Sequence, residues 1–262
     1  MKISRISLSM ILVSVIYAAT ATIVLADDDI DSQIKHYTHA LKTAPKSVAL
    51  LIKRGDLYFK LHKFDMAIAD YTSAIKLDAH ADKAYYGRGL ALGRNGNIRQ
   101  GIKDLSIYLS RHPTDSNAYT KRGVRYLWLR EDRKAEKDLS KAVALNPNNA
   151  EAHDDLGVVI ARRGDYTTAS KHFTSAMVID PTYFKAFNNL AMVFYLTEDD
   201  DLALYTINES LDLRPDQRSP MLLKAKILHA LGRDAEAAKV QEYAEFLPKG
   251  DWSEHVPLVS AK

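Results

Sequence analysis

The 262-residue chain contains no cysteine. This absence excludes disulfide bonds, thiolate metal sites, a cysteine nucleophile and a lipidated N-terminal cysteine. If the chain is exported, its stability must therefore come from its own packed core.

Long apolar runs are also scarce, and only one is long enough for a signal peptide or a membrane anchor. After the basic residues Lys2 and Arg5, residues 6–26 carry no charge and end in "VLA" before three aspartates. This layout is typical of a secretory signal peptide cleaved after Ala26. A retained membrane anchor is the alternative, because 21 uncharged residues can cross a bilayer. Both interpretations predict an exported chain, most simply a periplasmic one, with a secreted or membrane-anchored form as alternatives.

A large excess of charge of either sign is absent too. The formal net charge is +3, and it includes Lys2 and Arg5 of the N-terminal segment. The remaining chain is close to neutral, so its overall charge does not favour binding to nucleic acid or to an acidic membrane surface. Membrane association is expected only through the N-terminal segment, if that segment is not cleaved.

An internal repeat of 34 residues dominates the rest of the sequence. Only glycine and alanine occupy two columns of this repeat, as expected where two helices cross too closely for a larger side chain. The six units start at Val48, Asp82, Ser116, Ala150, Phe184 and Arg218. Position 8 holds Gly55, Gly89, Gly123, Gly157, Ala191 and Ala225, and position 20 holds Ala67, Gly101, Ala135, Ala169, Ala203 and Ala237.

Two further columns indicate that each unit is a pair of antiparallel helices. Position 11 is large and apolar in all six units, and position 32 is proline in four of them, where it ends one helix before the next begins. Polar turns such as "RNGN" and "RRGD" separate the two helices of a unit.

With these columns the chain resembles the tetratricopeptide repeat family, whose 34-residue unit has small residues at positions 8, 20 and 27 and proline at 32. The matching residues include Tyr85, Gly89, Ala135, Ala142 and Pro147. The resemblance implies an all-α fold, a right-handed superhelical α-solenoid of six helix-turn-helix repeats. The predicted repeats are residues 48–81, 82–115, 116–149, 150–183, 184–217 and 218–247.

The flanking segments extend the pattern at both ends. Residues 27–47 contain Tyr37, Ala40 and Pro45, where positions 24, 27 and 32 of a preceding unit would fall, and they predict a capping helix. Residues 248–262 predict a short C-terminal cap in which Trp252 covers the last repeat, because a stack of repeats exposes an apolar surface at each end.

Charged residues at positions 7 and 23 follow a pattern of their own. Arginine at position 7 and aspartate at position 23 occur together in the first three units and are both absent from the next two. We expect three structural ion pairs between the helices of a unit, although each aspartate could instead reach the next unit's arginine, or the charges could be separately solvated. The predicted pairs are Arg54 with Asp70, Arg88 with Asp104, and Arg122 with Asp138.

The remaining face of each first helix is the expected binding surface. If positions 4, 8 and 11 face the core, positions 2, 5, 6, 9, 12 and 13 lie on the other side, and the resemblance implies a concave groove there that binds extended peptides or helices. Unit four makes this face acidic with Glu151, Asp154 and Asp155, although exposed helices carry charges in any case. The candidate partner-binding residues are Lys53, Phe59, Lys83, Tyr86, Arg94, Lys121, Trp128, Asn188 and Asn189.

One known binding mode of the family is not expected. Some members hold the terminal carboxylates of chaperones with lysine, asparagine and arginine at set positions of three successive units. The corresponding residues here do not fit that mode; they are Ile52, Asp56, Gly87, Asn117 and Lys121.

The sequence gives little support for catalysis or metal binding. His36 and His39 are three residues apart, but two ligands without a third are weak evidence for a metal. No catalytic residue, metal or cofactor is predicted. The sequence predicts an exported scaffold that binds a protein or peptide, with a membrane-tethered assembly factor or an enzyme on a repeat scaffold as alternatives.

Overall fold

A computed structural model of the chain describes residues 29–249. The predicted signal peptide and the C-terminal cap with Trp252 lie outside the described residues. The chain forms two compact units, Met1–Asp104 and Leu105–Lys262. In the described range every regular element is an α-helix, and none of these helices combines the length and apolar character needed to span a membrane.

The described helices form an α-solenoid of helical repeats. Helix α1 covers residues 29–43, within the predicted capping segment, and six helix pairs follow. The first helix of each pair begins at the first residue of a 34-residue unit. The pairs are α2 (Val48–Lys60) and α3 (Phe64–Leu77), α4 (Asp82–Arg94) and α5 (Ile98–Arg111), α6 (Ser116–Trp128) and α7 (Asp132–Leu145), α8 (Ala150–Arg162) and α9 (Tyr166–Ile179), α10 (Phe184–Leu196) and α11 (Asp200–Leu213), and α12 (Arg218–Ala230) and α13 (Asp234–Phe246).

Short polar side chains set the start of several first helices. Ser47, Asp115 and Asn149 each precede a first helix, and their side-chain oxygens accept a hydrogen bond from a backbone N–H of its first turn. These contacts satisfy donors that a helix leaves open at its N-terminus. In these three repeats the helix start is therefore encoded locally, at the last residue before the unit.

The turn inside each repeat also has a fixed geometry. Position 15, which follows the first helix, has a positive φ in all six repeats. Glycine adopts this left-handed conformation at little cost, whereas other residues are strained by contact between Cβ and the backbone. The residue is glycine in three repeats (Gly96, Gly164 and Gly232) and is His62, Arg130 or Glu198 in the others.

In the first compact unit, two glycines from neighbouring repeats enclose one tyrosine ring. A Cβ added to Gly55 would lie 2.9 Å from Tyr71 Cε1, and one added to Gly87 would lie 2.5 Å from Tyr71 Cζ. The Tyr71 hydroxyl donates a 2.6 Å hydrogen bond to Asp56 Oδ1, and burial together with this contact raises the pKa of Tyr71. The two glycines therefore allow an aromatic side chain to fill the space between α2 and α4.

In the second compact unit, glycines at the helix crossings also leave room for large side chains. The missing Cβ of Gly123 leaves room for Leu139, and that of Gly157 leaves room for Phe173. Both of these larger residues are fully buried and occupy position 24. The small residue at position 8 thus makes room for a large side chain of the second helix. Direct contact with the small residue at position 20 is not its main role.

The second repeat is the exception, because its close contact involves two backbones. A Cβ at Gly101, in position 20, would lie 2.6 Å from the carbonyl oxygen of Gly89 and 3.1 Å from the backbone nitrogen of Gly93. Helices α4 and α5 therefore approach each other through glycine on both sides.

Candidate binding surface

The three arginine–aspartate pairs form within single repeats. Arg54 Nε and Nη2 donate to the two carboxylate oxygens of Asp70 at 2.8 and 2.7 Å. The corresponding distances are 2.7 and 3.0 Å for Arg88 with Asp104 and 2.6 and 2.8 Å for Arg122 with Asp138. Two parallel hydrogen bonds make this the strongest common geometry for such a pair.

A third hydrogen bond of each arginine reaches the helix that precedes its repeat. Nη1 donates to Thr38 Oγ1 from Arg54, to Thr72 Oγ1 from Arg88 and to Ser106 Oγ from Arg122, at 3.0–3.2 Å. Each guanidinium therefore joins its own second helix to the helix that precedes its repeat. Because these groups lie between helices, they are structural and do not form the binding surface.

Histidines replace this arrangement in the fourth repeat. His172 occupies position 23, and its Nδ1 lies 3.1 Å from Nδ1 of His153. His153 Nε2 lies 3.0 Å from the carbonyl oxygen of Pro147. Burial and the neighbouring His153 lower the pKa of His172, because protonation of both rings would place two like charges in contact.

We call the surface formed by positions 2, 5, 6, 9, 12 and 13 of the first helices the first-helix face. In the first compact unit, Lys53 and Lys83 are exposed on this face, whereas Phe59, Tyr86 and Arg94 are half-buried. Lys53 Nζ lies 5.8 Å from the centroid of the Tyr37 ring. This part of the face presents basic and aromatic groups, as the sequence predicts.

In the second compact unit, the predicted residues Lys121 and Trp128 are both half-buried. Lys121 Nζ lies 2.6 Å from each carboxylate oxygen of Glu151, so its charge is already paired. The guanidinium carbon of Arg125 lies 5.1 Å from the centroid of the Trp128 ring, in a cation–π contact.

Asn188 and Asn189, both predicted to bind a partner, lie in different environments. Asn189 is buried, and its Nδ2 donates a 2.8 Å hydrogen bond to Asp154 Oδ1. Asn188 is half-buried, and its Oδ1 accepts no hydrogen bond from the described residues. Asn188 therefore keeps an acceptor for a partner, whereas the Asn189 amide nitrogen already donates to a buried carboxylate on the adjacent helix α8.

We call Glu151, Asp154, Asp155, Asn188 and Asn189 the carboxylate cluster; its members lie on the first-helix face of α8 and α10. The exposed fraction is 3% for Asp154 and 9% for Asp155. Asp155 Oδ2 is buried without a hydrogen-bond partner among residues 29–249. Acidic residues at positions 2, 5 and 6 of the fourth unit are visible in the sequence, but their burial is not.

Burial controls the ionisation of this cluster. It raises the pKa of Asp154 to about 7, although the Asn189 hydrogen bond and the Lys185 charge act in the opposite direction. Burial raises the pKa of Asp155 well above its usual value, and the charges of Glu151 and Asp154 add to this effect. The pKa of Tyr183 is raised by burial and by the same carboxylates.

The described residues offer no arrangement for a metal. Within residues 29–249, no three histidine, cysteine, aspartate or glutamate side chains are placed to hold a metal ion together. The first-helix face thus carries basic and aromatic groups in the first compact unit, and basic, aromatic and buried acidic groups in the second.

Consecutive antiparallel helix pairs with small residues at their crossings define the class of helical-repeat proteins. Residues 55–96 match a model described as the TPR repeat, and residues 120–184 match one described as the tetratricopeptide repeat. The chain therefore contains tetratricopeptide repeats in both of these segments.

Curated proteins match over one part of the chain. An Arabidopsis thaliana FAM10 family protein is 31% identical over 83 residues, which are 32% of this chain and 19% of that protein. The serine/threonine-protein phosphatase T of Aspergillus oryzae is 30% identical over 88 residues, or 34% of this chain and 18% of the phosphatase. The chain therefore spans about a fifth of the length of the curated relatives it matches.

Solved structures share the fold over most of the chain. A tetratricopeptide repeat protein from Parabacteroides merdae has a TM-score of 0.71 at 20% identity and covers 88% of this chain and 91% of its own. PilW, described as a type IV pilus biogenesis factor, has a TM-score of 0.67 at 21% identity, covering 75% and 90%. YrrB, described as a TPR protein with an unusual peptide-binding site, has a TM-score of 0.55 at 24% identity, covering 75% and 97%.

Proposed function

We propose that the protein is an exported scaffold that holds an extended segment of a partner protein on its first-helix face. Tetratricopeptide repeat proteins act as protein-interaction scaffolds, and this role fits the repeats that the chain contains. The proposal assigns binding and no catalysis to the surface.

Two of the buried polar atoms without a hydrogen-bond donor lie on the first-helix face, and they carry the proposal; Asp200 Oδ1 and Asn208 Oδ1, on the second helix α11, also lack a donor within residues 29–249. Asp155 Oδ2 and Asn188 Oδ1 are buried on the first-helix face without a hydrogen-bond donor among the described residues. A buried acceptor without a donor costs about 1–3 kcal/mol, and a bound segment with N–H donors would remove that cost. The arginine–aspartate pairs, in contrast, are satisfied within the protein.

The similarity to YrrB supports the same type of ligand. That protein is described as having a peptide-binding site, and its fold resembles the present one. An extended peptide suits a helical-repeat surface because its backbone offers a regular series of donors and acceptors.

Site-specific photo-crosslinking tests which face binds. Benzoylphenylalanine would replace Lys83 or Asn117 on the first-helix face, with Lys76 and Lys141 of second helices as exposed controls. We expect each first-helix position to crosslink to a partner segment, identified by peptide mass spectrometry. Crosslinks only from Lys76 and Lys141 would place binding on the opposite face and overturn the proposal.

Export is the second part of the proposal, and its support is the charge pattern of residues 1–26. An intact mass that begins at Asp27 in the native host, together with recovery from an exported fraction, would support the cleaved form. A mass that includes residues 1–26, with the protein in the membrane fraction, would favour the membrane-tethered assembly factor. A full-length protein in the cytosolic fraction would contradict both.

A further inference from the structure

The carboxylate cluster has two buried acceptors on neighbouring helices. Asp155 Oδ2 belongs to α8 and Asn188 Oδ1 to α10, and the two helices contact each other. Neither atom receives a hydrogen bond from residues 29–249, and Asp155 is 9% exposed. These two acceptors therefore lack hydrogen-bond donors within this range, and a ligand could supply them.

Two nearby donors, Lys121 Nζ and the Asn189 amide nitrogen, bind other carboxylates of the cluster. Lys121 Nζ contacts both oxygens of Glu151 at 2.6 Å, and the Asn189 amide donates to Asp154 Oδ1 at 2.8 Å. These contacts keep two of the three acidic side chains in place. They leave the inner oxygen of Asp155 as the acceptor that no described side chain reaches.

The chemistry of the cluster selects the kind of ligand. Glu151 and the ionised forms of Asp154 and Asp155 repel an anion, and a metal ion would need a set of ligands that the described residues do not provide. A guanidinium group is planar and positively charged, and it has five N–H donors that can bind a carboxylate and a second acceptor together. It can therefore satisfy both Asp155 and Asn188.

We propose that the carboxylate cluster binds the guanidinium group of an arginine side chain in the partner segment, an inference that rests on the proposed function. Binding of the cation favours the ionised form of Asp154 and Asp155. The groups facing this pair are Glu151 of α8, Lys121 of α6, Lys185 of α10, and Tyr183, which immediately precedes α10. The site is opposite in charge to a basic clamp for terminal carboxylates.

Carboxyl ¹³C NMR of the full chain, labelled at aspartate, tests the proposal directly. The probe is N-acetylarginine N-methylamide, and the matched control is the citrulline analogue, which has the same shape without the charge. We expect a Kd of about 1–10 mM for so small a ligand. Saturating arginine probe should lower the titration midpoint of Asp154, which starts at about 7, by about 1–3 units.

Two variants locate the effect. Asp155→Asn should weaken binding of the arginine probe at least about tenfold. Glu242→Gln, which removes an exposed carboxylate of α13, should leave binding unchanged. Circular dichroism would verify that both variants keep their helical content.

Several results would overturn the assignment. Equal responses to the arginine and citrulline probes, no saturable response, or full binding by Asp155→Asn would each reject it. An equal response to N-acetyllysine N-methylamide would reject the preference for arginine. Because crosslinking from Lys83 and Asn117 is independent of the arginine probe, a failure here together with first-helix crosslinks would leave the proposed function intact.

Discussion

The Arg88 guanidinium holds the Asp104 carboxylate through two hydrogen bonds of 2.7 and 3.0 Å, and 1% of the Asp104 side chain is exposed. Removing one partner of such a pair leaves a charge that water reaches poorly. The pair is therefore costly to break, even where its net contribution to stability is small.

Asp104→Ala should lower the free energy of unfolding by about 3–5 kcal/mol, because Arg88 would remain half-buried without its partner. The control is Asp31→Asn, which breaks the exposed pair with Lys63 and should cost less than about 1 kcal/mol. Urea denaturation followed by circular dichroism would measure both. Similar losses for the two variants would contradict the structural role of the Arg88–Asp104 pair.

Gly87→Ala should destabilise the first unit by about 1–3 kcal/mol, because the added methyl group would lie 2.5 Å from the Tyr71 ring. Thermal unfolding would measure the loss. A smaller side chain at the contact, Tyr71→Leu, should make the same Gly87→Ala change less costly. The prediction would be wrong if Gly87→Ala cost the same in both backgrounds.

Arg130→Gly and Glu198→Gly should each raise the free energy of unfolding by up to about 1 kcal/mol. Both residues have positive φ values, 59° and 61°, which glycine adopts without strain. Gly164→Ala, at the same position of another repeat with φ of 89°, should have the opposite effect. Urea denaturation of the three variants would show whether the backbone conformation controls stability here.

Asp154→Asn should make the protein more stable at pH 7.5, by on the order of 2 kcal/mol. An unfolded aspartate loses its proton near pH 4, whereas the folded protein keeps it until the pKa of about 7. The folded state binds more protons in this interval, so stability falls as the pH rises through it. Melting temperatures between pH 4 and 8 should be flatter in the variant, while Glu242→Gln should follow the wild type.

His172→Gln should reduce the loss of stability on mild acidification. The folded-state pKa of His172 lies below its usual value, so the unfolded chain binds the additional proton more readily. Stability contributed by neutral His172 is complete above the unfolded pKa of about 6.5 and is lost as the pH falls below it. Thermal unfolding at pH 7.5 and 5.5 would compare the two proteins; an unchanged difference would assign the acid sensitivity to other groups.

The sequence predicted the repeat starts and the ion pairs because both depend on regular local spacing. Helical periodicity places positions 7 and 23 on defined faces, so the coincidence of arginine and aspartate identified Arg54–Asp70 and its two counterparts. The hydroxyl partners at Thr38, Thr72 and Ser106 were missed. They belong to the helix that precedes each repeat, and no charge pattern connects a threonine or serine to an arginine 16 residues later.

By itself, the amino-acid sequence determined the 34-residue period, the helix pairs and the sites of close helix approach, since these follow from local spacing and side-chain size. Only the tertiary structure decided that Tyr71 packs between two glycines and that Asp154, Asp155 and Asn189 are buried together. Burial depends on side chains from neighbouring repeats, roughly one period away in the chain. A charged residue that is exposed on an isolated helix can therefore become a desolvated acceptor when the next helix packs beside it.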